Sequence, residues 1–178
     1  MNICMYASAN ALGPEYTVPV KALCDQLASH GCGLVFGGYA DGLMKVAADA
    51  FYAHGAPITG VVTDFFDRTQ ARHPGLTDVI TCRTLSERKD EMARVSQAFI
   101  ALPGGIGTLD EIFSTLCQKS CGQIDGEIIF YNAARFWDTA VQMLREMKDK
   151  GFIRPDLDGA YRVCDTPQEV LYALGLAK

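Results

Sequence analysis

The sequence predicts an α/β protein, a doubly wound parallel sheet with helices on both faces. Three observations carry that expectation. Short apolar runs alternate with amphipathic helical patterns from one end of the chain to the other, the order that βαβ units produce. The run Ala98 to Leu102 is apolar on both faces, as a strand buried in the middle of a parallel sheet is. Two of the runs lead through glycine-rich turns straight into helix starts, at Gly37 to Gly42 and at Gly104 to Gly107. At 178 residues, the chain has the length for one well-buried domain, residues 1–178, and too little for two.

Asn2 to Ala7 reads as the first strand, and Tyr16, Val20, Leu23, Cys24 and Leu27 mark an amphipathic helix ending near Gly31. The loop between them, Ser8 to Glu15, places Ser8 at the carboxyl end of a strand, where open parallel sheets hold ligands. Leu34 to Phe36 is the second strand. Its glycine turn, which includes Gly38, precedes a helix carrying Leu43, Ala47, Ala50 and Phe51. Ile58 to Val62 is the third strand. Thr63 to Thr77 is a polar loop longer than the usual connection, a feature of lids and binding loops. His73 in that loop is either a loop residue or a catalytic acid or base. Val79 to Cys82 is the fourth strand.

A helix follows with Ser86 as its expected cap. Arg88 and Lys89 then fall in the first turn, where the macrodipole disfavours a cation by ~0.3–1 kcal/mol. Either Glu87, Asp90 and Glu91 neutralise them on a solvated face, or Arg88 reaches over its strand end toward the glycine turn at 104 to 107. After the strand at 98 to 102, Pro103 stops the ladder, because it has no N–H to donate. Gly104, Gly105 and Gly107 permit left-handed backbone angles and close approach to the main chain. The next helix is expected to begin at Thr108, with Leu109, Ile112, Phe113 and Leu116 on one stripe. Such a turn can cradle a phosphate, or serve only as a strand-to-helix turn. Thr108 and Glu111 likewise have the spacing of a capping box. Glu127 to Tyr131 is a further strand, and Phe136 to Met147 a helix ended by Lys148, Lys150 and Gly151. Phe152 to Asp158 reads as a turn-rich crossover, Ala160 to Cys164 as a last strand, and Thr166 to Glu169 as the cap of a final helix.

Composition removes several function classes. Apolar residues make up 49% and charged residues 21% of the chain, an ordinary globular balance and not that of a disordered chain. A net charge of -5 without a basic block argues against nucleic acid as a partner. No apolar run approaches the ~20 residues that span a bilayer, and the N-terminus lacks the pattern of a signal peptide, so a cytoplasmic location without membrane attachment is expected. The seven cysteines never form C-x-x-C. Cys117 and Cys121 lie four apart on one helix face without a second pair to complete a zinc site, so buried reduced thiols are expected.

Leu102-Pro-Gly-Gly-Ile-Gly-Thr-Leu-Asp-Glu111, with Glu87-Arg-Lys89 upstream and Gly37-Gly-Tyr-Ala-Asp-Gly-Leu-Met44 before that, resembles the Lonely Guy family, cytokinin riboside 5'-monophosphate phosphoribohydrolases formerly labelled lysine decarboxylases. The likeness runs from about Ile3 to about Val170. It implies a Rossmann-like nucleotide-binding fold and a homodimer with the site near the subunit interface. It also implies hydrolysis of the N-glycosidic bond of a nucleoside 5'-monophosphate to free base and ribose 5-phosphate. By position, Arg88 and Glu111 would be the catalytic pair. Gly104, Gly105, Gly107 and Thr108 would hold the phosphate, and Lys89 and Asp110 would contact substrate, as would Ser8, Gly38 and Gln70. No metal and no other cofactor is called for.

Bottom-up chemistry agrees with that pair, since cleavage builds oxocarbenium character at C1' that a fixed carboxylate can stabilise while it orients or deprotonates a water. Arg88 stays charged and is a poor proton donor, which suits a positioning role. Five positions depart from the family pattern. Gln70 stands where E-x-x-H has its carboxylate, Tyr39 and Lys45 add bulk and charge near the second glycine turn, Tyr6 replaces a glycine, and Ser86 a histidine. These departures suggest a changed or narrowed substrate. The competing readings are a non-catalytic nucleotide or molybdenum cofactor carrier of similar fold, a pyridoxal-dependent lysine decarboxylase using Lys45 or Lys89, and a dinucleotide dehydrogenase. The last lacks G-x-G-x-x-G after the first strand.

Overall fold

A computed structural model describes residues 1–153 and 159–177. Strands β1 (Asn2–Tyr6), β2 (Gly33–Phe36), β3 (Ile58–Thr63), β4 (Asp78–Cys82), β5 (Ala98–Ala101), β6 (Glu127–Tyr131) and β7 (Arg162–Cys164) form one sheet in the order β4-β3-β2-β1-β5-β6-β7. Every pairing is parallel, so both faces need helices, as the sequence predicts. Alternate residues of one strand serve the two faces. Ile3 and Met5 pack with α1 (Pro14–Ser29), α2 (Gly42–Ala53) and α7 (Pro167–Ala173). Cys4 and Tyr6 pack with α4 (Leu85–Arg94), α5 (Ile106–Ser120) and α6 (Asp138–Asp149).

The chain runs outward from β1 through β2 and β3 to β4, then returns to pair β5 with the other side of β1, Tyr6 opposite Ala101. Strand order reverses there, and such a reversal opens a crevice beyond the carboxyl ends of the two strands. Two backbone hydrogen bonds fix the loops that wall it. Ser8 N–H donates to the Pro103 carbonyl at 3.2 Å, and Leu43 N–H donates to the Ser8 carbonyl at 2.9 Å.

Several local expectations are corrected. The cap of α4 is Thr84, whose hydroxyl accepts from Glu87 N–H at 3.1 Å, not Ser86. Helix α5 starts at Ile106 with Gly105 as its cap, and no side chain caps it. Thr108 therefore lies inside the helix and makes no capping box with Glu111. The Thr166–Glu169 capping box does form. The polar loop after β3 contains a short helix, α3 (Asp64–Asp67). A single 3-10 turn at Ala133–Arg135 delays α6 to Asp138. The last strand is confined to Arg162–Cys164, and residues 154–158 of the expected crossover lie outside the described residues. Five cysteines are buried, whereas Cys117 on α5 and Cys121 at its C-cap are exposed. No helix among the described residues is long and apolar enough to cross a membrane.

Candidate active site

A cavity of about 280 Å³ occupies the crevice where the strand order reverses. The segment after β1 supplies Ala7 to Asn10, the segment after β2 supplies Gly37 and Tyr39, and α2 supplies Met44. Phe66 and Gln70 come from the loop after β3, Arg88 from α4, and Gly105 to Thr108 with Glu111 from α5.

Arg88 and Glu111 meet in this cavity. Arg88 is 7% exposed; its Nε donates to the Val61 carbonyl at 2.7 Å and its Nη1 to Glu111 Oε1 at 3.1 Å. The guanidinium also lies 5.8 Å from the centre of the Phe66 ring, within the range of a cation–π contact. Gly37 makes the passage possible, because a Cβ there would overlap Arg88 Nη2 and approach Met44 Sδ to 3.0 Å. Arg88 thus reaches the strand end and is not neutralised on a solvated face, which answers the question raised by its place in a helix's first turn. Burial pushes the Glu111 carboxyl up to about 7 against the opposing pull of the Arg88 charge, with Asp110 adding to the rise. A group with that value exchanges protons near neutrality.

The α5 start has the geometry of an anion cradle. With no side chain capping the helix, its first amides lack intrahelical partners and carry the positive end of the dipole. Gly104, Gly105 and Gly107 permit left-handed backbone angles, but none of the three adopts one. A Cβ added at Gly105 or Gly107 would meet no atom within 4 Å beyond its own stretch of chain, and both residues line the cavity. What glycine leaves at these two positions is room beside the amides. Gly104 differs: it lies off the cavity wall, and a Cβ there would strike the Thr108 hydroxyl.

The remaining expected site residues divide. Ser8, Gln70 and Thr108 line the cavity, and Ser8 Oγ accepts from Asn10 N–H at 3.0 Å. Gly38 does not line it; with a φ of +85 it packs, just past the end of β2, against Gly60 and Val62 of the neighbouring parallel strand β3, where a Cβ would strike both. Lys89 and Asp110, expected to contact substrate, sit outside the cavity and bind each other: Lys89 Nζ donates to both Asp110 carboxylate oxygens at 2.7 and 2.8 Å and to Ser114 Oγ at 2.9 Å. One helical residue after Arg88 and one before Glu111 face away from them. Tyr39 lines the wall with its hydroxyl donating to the Thr63 carbonyl at 3.2 Å. Lys45 pairs with Asp49 on the surface, and Ser86 is likewise off the wall. His73 is 3% exposed and off the cavity.

Sequence reasoning missed Met5, Asn10, Met44 and Phe66 as wall residues. Phe66 had one available signal, an apolar pair at 65 to 66 inside a polar loop. The others read as ordinary core or loop.

A family model described as "Possible lysine decarboxylase" matches residues 44–174. The chain is 30% identical over 173 residues to the cytokinin riboside 5'-monophosphate phosphoribohydrolase LOG of Oryza sativa subsp. japonica, covering 97% of this chain and 72% of that one. It is 29% identical over 163 residues to the cytokinin riboside 5'-monophosphate phosphoribohydrolase of Rhodococcoides fascians, covering 91% and 82%. Among solved structures, the molybdenum cofactor carrier protein of Chlamydomonas reinhardtii superposes with a TM-score of 0.74 over 98% of this chain and 95% of that one, at 19% identity. At that identity the likeness concerns the fold alone.

Proposed function

This chain belongs to the Lonely Guy family, and from that premise we propose that it hydrolyses the N-glycosidic bond of a nucleoside 5'-monophosphate, of the AMP or cytokinin riboside monophosphate type, to free base and ribose 5-phosphate. The observation that carries the reading is the spacing of two features on one helix. The open cradle at Gly105 and Gly107 receives the phosphate, and Glu111 stands one turn further along, held by Arg88. Four residues of α-helix rise about 6 Å, comparable to the reach of ribose 5-phosphate from phosphorus to C1'.

In this reading the ionised Glu111 carboxylate faces the positive charge that builds at C1' and takes a proton from the attacking water. Its elevated value near 7 makes it a stronger base than an ordinary glutamate while a useful share remains ionised at neutral pH. Arg88, fixed by the Val61 carbonyl, orients the carboxylate and supplies a fixed positive charge. Ser8, Asn10, Gln70 and Thr108 are wall residues whose polar side chains serve ribose and base.

Lysine decarboxylation through pyridoxal phosphate does not fit these residues. Its Schiff base needs a lysine in the cavity, and among the described residues none lines the wall. Lys89 is consumed by Asp110 and Ser114, and Lys45 by Asp49.

A screen of nucleoside 5'-monophosphates for released base tests the proposal: adenine freed from AMP, and lost on Glu111→Gln, supports it. Binding of nucleotide by the wild-type chain without release would favour a carrier of the kind whose fold it shares. A pair of chains with the site near their interface belongs to the same proposal, and sedimentation at micromolar concentration checks it.

A further inference from the structure

His73, buried and 24 residues from its partner in sequence, ties the loop after β3 to helix α2. Its Nδ1 accepts from Gly75 N–H at 3.1 Å, which leaves the ring proton on Nε2, facing Asp49 Oδ1 at 3.0 Å. The ring is 3% exposed and lies edge-on to Tyr52 with centroids 6.4 Å apart. Its backbone N–H donates to the Gly38 carbonyl at 2.9 Å, and Ala40 N–H donates to the Ala71 carbonyl at 2.9 Å. The loop's far end closes on itself through Arg72 Nε and Asp67 Oδ1 at 2.9 Å. Between these fixed points the loop delivers two side chains to the cavity, Phe66 beside Arg88 and Gln70.

We propose that His73 and Asp49 are positioning residues for the nucleotide site: their hydrogen bond locks the loop that holds Phe66 and Gln70 against the cavity. Neither touches ligand. Asp49 is half-exposed and also paired with Lys45, so the lock depends on the oxygen that accepts from the imidazole and not on the surface ion pair. A carboxamide at 49 keeps that oxygen, whereas alanine removes it. The consequence for affinity rests on the reading of the cavity as a nucleotide site, while the consequence for the loop does not.

The test uses the full chain in five forms: wild type, Asp49→Ala, Asp49→Asn, Lys45→Met and His73→Ala. Backbone hydrogen exchange over residues 69 to 76 is measured on each, with melting temperature as a control, and AMP affinity by calorimetry on the same forms carrying Glu111→Gln, which hold AMP without hydrolysing it. Loss of one hydrogen bond, which leaves a buried polar group of the lock unpaired, predicts exchange faster on the order of tenfold in Asp49→Ala and His73→Ala. Asp49→Asn and Lys45→Met should stay near wild type. The dissociation constant for AMP should rise by a similar factor in the same two variants, and adding Gln70→Ala to Asp49→Ala should cost less affinity than Gln70→Ala does alone. Should His73→Ala fail to fold, the half-exposed Asp49 series decides the matter. Unchanged exchange in Asp49→Ala overturns the proposal, and so does faster exchange with AMP affinity intact. A wild-type chain that ignores AMP refutes the nucleotide reading instead, and the exchange arm then still decides whether the lock exists.

Discussion

Arg88 Nη1 lies 3.1 Å from Glu111 Oε1, joining the first turn of α4 to the second turn of α5 inside the cavity at the sheet's switch point. Each partner compensates a cost of the other. The arginine sits at the wrong end of its helix dipole, and the glutamate is a buried carboxyl whose ionised form needs a nearby positive charge.

Replacing Glu111 by Gln keeps the size and one hydrogen bond to Arg88 while removing the charge and the base. We expect kcat for adenine release from AMP to fall on the order of a thousandfold, with KM little changed. Steady-state kinetics with chromatographic detection of the base check this. A parallel rise in KM without loss of kcat would assign Glu111 to binding.

The pH profile follows from the elevated Glu111 value. The carboxylate must be ionised to act, so kcat/KM should fall on the acid side with an apparent value of about 7. In the Gln variant's residual rate that limb should vanish, leaving only the substrate phosphate's own titration near about 6. A wild-type limb near 4.5 would show that burial does not perturb this group in solution.

Stability should respond to the same group with a definite sign. The folded-state value lies above the ordinary 4.5, so the native state binds the proton more tightly. That contribution is fully present below about pH 4.5 and is lost as pH rises through about 7. Wild type should therefore lose on the order of 3 kcal/mol relative to Glu111→Gln across that window. Urea unfolding of both chains at several pH values measures the difference, in which all other titrations cancel.

Gly107→Ala separates the cradle from the fold. Its Cβ would meet no atom within 4 Å beyond the local helix backbone, and alanine in a helix is favoured over glycine by about 0.5–1 kcal/mol. Melting temperature should hold or rise while AMP affinity drops at least about tenfold, since the new methyl fills the space beside the amides. Undiminished affinity would move the phosphate elsewhere.

Gly37→Ala acts on Arg88. The added Cβ overlaps Arg88 Nη2, so the guanidinium must leave either the Val61 carbonyl or Glu111. Activity should fall by about a hundredfold, as a fixed charge moved by an ångström predicts. Arg88→Lys should lose a comparable factor, because an ammonium cannot serve both acceptors from one fork. Kinetics of the two variants at equal protein concentration provide the comparison.

The sheet was legible because each strand is a bounded apolar run and each helix shows its stripe. The long crossover from β4 back to β5 was not readable from local pattern, yet it creates the cavity. Thr108 and Glu111 illustrate why local chemistry misleads: their spacing is that of a cap, but α5 begins two residues earlier and a side chain 23 residues away takes the carboxylate. Lys89 and Asp110 follow from the same helical geometry. Standing next to Arg88 and Glu111 in sequence puts them on another face, where they brace α4 against α5. Phe66 was hidden because a single-turn helix within a polar loop leaves too few residues for any period to appear.

The central claim is that one helix start holds the phosphate while Glu111 on the same helix faces C1'. A crystal structure of Glu111→Gln with AMP bound tests it most directly. Phosphate oxygens are expected on the amides of residues 106 to 108, and the residue 111 side chain within about 3.5 Å of C1' or of a water lined up on it. A nucleotide bound with its phosphate away from α5, or with residue 111 beyond reach of the ribose, would contradict it.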